Sequence, residues 1–214
     1  MMKIYDISVK IPDAPVYPGD PVTRLRRAAS IADGAECNLT ALTLSAHAGT
    51  HADAPLHFID GAQSIDTLDP AVFCGEARVV TVFKAQGNIE IEDLAPLSIQ
   101  KGERILFKTR NSLDNHISDK EFYKDFCAFS EEAGAYLAER GPALVGIDYA
   151  SIGGPAAHRA VLGAGIAALE WLDLRSITDG RYFLTAAPIK ISGAEGAPAR
   201  ALLFDSAFPH SSFN

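Results

Sequence analysis

Along the chain, short apolar runs rich in β-branched and aromatic residues recur, each bounded by Gly, Pro or Asp. KIYDISVKI (3–11), LTALTLS (39–45), EARVVTVF (76–83), RILFKT (104–109), ALVGID (143–148), RYFLTAAPIKI (181–191) and ARALLF (199–204) therefore read as strands. Helical signals are fewer. FSEEAGAYLAERG (129–141) is the clearest, with Ser130 as N-cap, acids in the first turn and Gly141 just past the end. IEDLAPLSIQ (91–100) and PAAHRAVLG (155–163) are shorter helical segments. Many strands with a few interspersed helices predict an α/β domain, β-rich and layered rather than a doubly wound sheet.

Length and composition narrow this further. The 214 residues suit a single domain spanning 1–214, with no linker composition to divide it. Apolar residues make up 48% and charged residues 21%, as in a globular enzyme. A net charge of −8 argues against a nucleic-acid surface, which needs a basic stripe, and against docking on an anionic membrane. The N-terminal MMKIYDISVKIPD has no apolar h-region, and no run approaches the roughly 18 apolar residues of a membrane span, so a cytoplasmic protein is expected. Cys37, Cys74 and Cys127 are odd in number and far apart, which predicts free thiols rather than a disulfide framework or a cysteine metal site.

The chemistry is concentrated in SAHAGTHADAPLHF (45–58), which holds three of the six histidines, His47, His51 and His57, around Asp53. Imidazole and carboxylate are ligands for a borderline divalent metal such as zinc or manganese, and such a group is hard to bury without a cation. Gly49 permits a tight turn and Pro55 prevents a continuous helix, which places the motif at the end of LTALTLS and in the loop after it. Further ligands are needed. His210 lies in the terminal FPHSSFN, and His116 in the polar RNSLDNHISDKEF, read as a surface loop. His158 precedes an apolar run that contains Glu170, a residue type almost never buried unless paired or metal-bound; Arg159 or Arg175 is the alternative partner. On one straight helix His158 and Glu170 would stand about 18 Å apart. The Gly163-Ala164-Gly165 break instead predicts a helix, a turn and a returning strand IAALEWL (166–172) that brings both residues to one place. Asp148 reads as a cap for the turn that follows it, Trp171 as core, and Phe58 as packing beneath the metal loop to hold His57.

These segments resemble one family. HAGTHADAPLHF (47–58) matches H-x-G-T-H-x-D-x-P-x-H-F, the hallmark of the metal-dependent cyclases that include bacterial kynurenine formamidases, at every fixed position. YDIS, PVYPGDP, LVGIDYASI, HRAVLGAGIAALEWLDL and PIKISGAEGAPARALL are similar to that family in content and order. The resemblance implies a swivelling β/β/α domain assembled as a homodimer or homotetramer, with two divalent ions per subunit, zinc or alternatively manganese. It implies His47, His51 and Asp53 at the first metal, His158 at the second, and Asp53 and Glu170 as bridges. It makes His57 the catalytic acid/base and Tyr17 a substrate-wall residue. The implied reaction is hydrolysis of a small amide such as an N-formyl arylamine, with N-formylkynurenine of tryptophan catabolism the type substrate, by metal-activated water and a histidine acid/base. An isatin-type cyclic amide hydrolase and a lyase or cyclase on another small substrate are the enzyme alternatives; a non-catalytic metal-binding protein is the alternative of another class. Two departures touch the substrate pocket alone: Tyr17 stands where the formamidases carry Trp, and ASIGGPAAH before His158 is shorter than theirs.

Overall fold

The computed structural model describes residues 2–84 and 86–205. Its strands are β1 (Ile4–Asp6), β2 (Arg24–Ala29), β3 (Leu39–Thr43), β4 (His51–Asp53), β5 (Cys74–Thr81), β6 (Arg104–Lys108), β7 (Leu144–Ile147), β8 (Ala167–Glu170), β9 (Gly180–Thr185), β10 (Gly196–Pro198) and β11 (Leu202–Phe204). Helices α1 (Ile91–Leu94), α2 (Arg110–Leu113), α3 (Glu131–Arg140) and α4 (Pro155–Gly163) punctuate them. Nine strands form one sheet in the order β1-β11-β9-β5-β6-β7-β8-β4-β10, and β2 and β3 pair separately as a hairpin.

The middle of the sheet is parallel from β5 to β8, and the flanking pairs are antiparallel. The apolar runs explain this, because parallel strands are covered on both faces and need not alternate with polar residues. On β6, Ile105 and Phe107 face the helices with Val145, Leu137, Val161 and Leu162, while Leu106 points the other way toward Leu144, Leu169 and Leu184. That second core also holds Ala52 and Ala197 from one end of the strand order and Leu203 from the other, so the sheet curls around it. Ser130 caps α3 by accepting from the Ala133 amide at 3.1 Å, as its sequence position predicts.

Gly146 on β7 is required by packing. A Cβ there would lie 2.5 Å from Leu106 Cδ2 and 2.7 Å from Leu172 Cδ1, both side chains being fully buried. Gly146→Ala should therefore cost about 1–3 kcal/mol, the usual penalty of overpacking, read as a lower thermal midpoint.

Several sequence expectations are corrected. The strand expected over 39–45 is present but ends at Thr43, and it pairs with β2 in the separate hairpin. The motif is not simply a loop after it: His51–Asp53 form β4, inserted between β8 and β10, and only His47 precedes it in a turn. Strands β2 and β10 carry no clear apolar signal, being Arg-rich and Gly/Pro-containing respectively. Among the described residues, no helix is long and apolar enough to cross a membrane. His210 lies outside the described residues.

Candidate functional site

Strand geometry assembles the site. His51 and Asp53 are two apart on β4 and so share one face, and the antiparallel register places Glu170 of β8 opposite His51. The connection from β7 through α4 to β8 then lays His158 over the same spot. His158 Nε2 is 3.2 Å from Glu170 Oε1 and 3.6 Å from Asp53 Oδ2. His51 Nε2 is 3.3 Å from Glu170 Oε2 and 3.4 Å from Asp53 Oδ1, and His47 Nδ1 is 2.9 Å from the same Asp53 oxygen. The predicted helix-turn-strand thus brings the distant pair to the motif. Arg159 is exposed and Arg175 pairs with Asp173 at 2.7 Å, so neither arginine neutralises Glu170.

The local scaffold orients each group. His51 and His158 direct Nδ1 to the carbonyls of Gly49 at 2.8 Å and Gly154 at 3.1 Å, leaving Nε2 toward the carboxylates. The Ile152 amide donates to Glu170 Oε1 at 2.6 Å. The Thr50 hydroxyl accepts from the Val9 amide at 2.7 Å and donates to the Trp171 carbonyl, tying the motif's turn to the end of β8.

The electrostatics are those of a cation site. Asp53, Glu170, His51 and His158 are all at most 3% exposed, which makes two carboxylates costly without positive charge. Burial alone would lower the basicity of His51 and His158, but hydrogen bonds to Asp53 and Glu170 outweigh it and raise both to about 10. Burial works equally against the carboxylates, yet the surrounding histidines hold Asp53 well below its usual value and Glu170 below its own. The contacts are close but poorly directed: neither Asp53 oxygen, nor His51 Nε2, has a partner along a hydrogen-bond direction. Orphaned buried atoms of this kind are rare in native proteins. Ligand atoms of His51, Asp53 and Glu170 lie within 4.8 Å of one another, as do those of His47, Asp53 and His57. The residues present fit a divalent metal of the imidazole- and carboxylate-binding kind.

The cluster opens on one side into a cavity of about 220 Å³. Tyr17, Phe58, Pro155 and Trp171 give it planar and apolar walls, and His57 reaches it beside His47. The His57 ring stacks on His47 with centroids 4.1 Å apart and meets Phe58 edge-on at 4.4 Å. Burial pushes its basicity below the ordinary imidazole value. Phe58 packs against the core and stacks on His158 at 4.3 Å as well, so it braces two histidines and not His57 alone. Trp171 is core, as expected, packing on Tyr149 at 4.5 Å, and also forms cavity wall.

Other expectations fall elsewhere. Asp148 caps, but not the turn after it: its oxygens accept from Thr109, Asn111 and Ser112 at the start of α2. His116 stacks on Tyr123 and pairs with Asp119, away from the cluster. The three cysteines are free. One neighbour was not foreseen: Glu195, whose Oε1 is 3.3 Å from His47 Nε2.

Known proteins share this arrangement of segments. A family model described as a putative cyclase matches residues 5–153. Cyclase-like protein 1 of Arabidopsis thaliana is 38% identical, covering 94% of this chain and 84% of its own length. Kynurenine formamidase of Sphingopyxis alaskensis is 36% identical over 95% of this chain and 98% of its own. The solved structure of a potential metal-dependent hydrolase with cyclase activity superposes with a TM-score of 0.84 at 33% identity, covering 97% of this chain and all of the other.

Proposed function

The chain belongs to the putative cyclase family, and from that membership we propose that it cleaves a small aryl amide, an N-formyl arylamine of the N-formylkynurenine kind, at the His/Asp/Glu cluster. It is a metal-dependent amide hydrolase; the substrate and the residue roles are the proposal. The observation that carries it is the set of unpartnered buried ligand atoms at the floor of an aromatic-walled cavity that also contains a histidine outside the tightest group.

His47, His51, Asp53, His158 and Glu170 would hold two divalent ions in this reading, zinc or manganese, and Asp53 and Glu170, which face ligands on both sides, would serve both. Bound there, a divalent ion would supply an acidified water, its pKa lowered toward ~7, and a polarised carbonyl. The protein does the rest. Tyr17, Phe58 and Trp171 flank the aryl ring and exclude water from it. His57, kept neutral at pH 7 by burial, accepts a proton and delivers it to the departing arylamine nitrogen. Neither lysine nor arginine is among the described residues lining the cavity, which favours a substrate neutral at the scissile end.

Turnover tests this. The zinc-loaded protein should hydrolyse N-formyl anilines faster than isatins or lactones; activity on isatins or lactones alone would replace the substrate assignment. Metal uptake has its own signature. Because His51 and His158 are raised to about 10 when metal-free, both carry protons at pH 7 and must lose them to ligate. Calorimetric titration in buffers of different ionisation enthalpy should show about two or more protons released. Release of none would mean that these two histidines are neutral before the metal arrives or do not ligate it.

A further inference from the structure

Glu195, just before β10, and Gly196, its first residue, are left unused by this function. Their backbone is pinned against the motif: the Ala54 amide donates to the Glu195 carbonyl at 2.8 Å, and Gly196 pairs with Asp53. The His47 ring is packed into this corner. Its Nε2 is 3.3 Å from Glu195 Oε1 and its Nδ1 is 2.9 Å from Asp53 Oδ1. A Cβ on Gly196 would lie 2.9 Å from His47 Cε1 and 2.9 Å from the Ala52 carbonyl, so only glycine lets the ring approach. His57 stacks on the ring at 4.1 Å.

A neutral imidazole has one N–H and one lone pair. For Nδ1 to offer its lone pair to a metal held with the Asp53 carboxylate, the proton must sit on Nε2, which faces Glu195 Oε1 at 3.3 Å without a directed hydrogen bond in the metal-free protein. Both ring nitrogens face a carboxylate, Nδ1 the more closely, so it is a cation between Nδ1 and Asp53 that favours the Nε2–H form, with Glu195 set opposite that N–H. We propose that Glu195 is a positioning residue that fixes the tautomer and orientation of His47 for metal binding through Nδ1. His51 and His158 are oriented instead by the backbone carbonyls of Gly49 and Gly154 and offer Nε2. His47 is therefore the ligand whose orienting group is a side chain, and the one whose orientation a substitution can remove.

The inference rests on the metal reading above, and zinc affinity separates the two. Competition of the wild-type, Glu195→Ala and Glu195→Gln proteins against a chromogenic chelator gives affinity and stoichiometry together. The Glu195 side chain is 43% exposed, so the variants should fold, which the melting of the metal-free proteins checks. Glu195→Ala should weaken zinc binding by about 10–100-fold with stoichiometry unchanged, the usual effect of removing a group that orients a ligand. Glu195→Gln keeps an acceptor oxygen and should recover much of the loss. The visible spectrum of the cobalt-substituted protein should shift in Glu195→Ala and return toward wild type in Glu195→Gln. Affinity equal to wild type in Glu195→Ala would overturn the role. Loss of one ion per chain would overturn it too, by making Glu195 a ligand. A wild-type protein that binds no zinc would refute the metal reading itself, and this inference with it.

Discussion

Asp53→Ala should strip metal from both positions at once and lower amide hydrolysis by about 10³-fold or more. The carboxylate faces His47, His51 and His158 together, and among the described residues no other acid lies within 4 Å of all three. The same change should destabilise the metal-free protein by about 3–5 kcal/mol, the cost of breaking a buried charge group by removing one partner. The pH dependence distinguishes this from simple cavity formation. In metal-free wild type, His51 and His158 are raised to about 10, so their contribution is complete below about pH 6.5 and is lost as pH rises toward 10. Asp53 and Glu170 are lowered, so their contribution is complete above about pH 4 and disappears as pH falls further. Melting midpoints of the metal-free wild type should therefore fall on both sides of a mildly acidic plateau, and Asp53→Ala should flatten that profile. Full metal occupancy in the variant would remove Asp53 from the bridging position.

His57→Ala should behave oppositely, keeping its metal while kcat falls by about 10²–10⁴. The cavity places His57 next to the cluster, and burial lowers its basicity, so it is available as a base at neutral pH. The loss should shrink for formyl anilides whose amine is a good leaving group, because these need less protonation as they depart. The acid limb of the rate profile, which the lowered basicity of His57 sets below about pH 6.5, should vanish in the variant. The competing outcome is specific. His57 lies within ligating reach of His47 and Asp53, and metal lost in parallel with activity would make it a ligand.

Much of this is legible in the sequence alone. The apolar runs of β5, β6 and β7 carry no competing signal, and the glycines at 163 and 165 announce the return from α4 to β8. That turn is what makes the separation of His158 and Glu170 readable as proximity. Strand β4 was hidden for a physical reason. Its two outer residues are the proposed ligands His51 and Asp53, so His-Ala-Asp looks like a polar turn even though all three residues are buried. Strand β10 was hidden by Gly196 and Pro198, residues that suit an edge strand but signal a loop, and β10 is indeed the last in the order. Glu195 had no signal at all: a lone acid between small residues is indistinguishable from solvent-facing charge until the register sets it beside His47. The partner of Asp148 was misread because the cap reaches across to the neighbouring β6 connection, a contact set by tertiary pairing rather than by local sequence.

The most direct test is hydrolysis of N-formylaniline by one preparation, measured as isolated with metal, after removal of metal by chelation, and after stepwise return of zinc or manganese. Activity should disappear on stripping and return in proportion to the ion bound at the cluster. Full turnover by protein shown to contain no metal would contradict the assignment of His47, His51, Asp53, His158 and Glu170 as the centre of its chemistry.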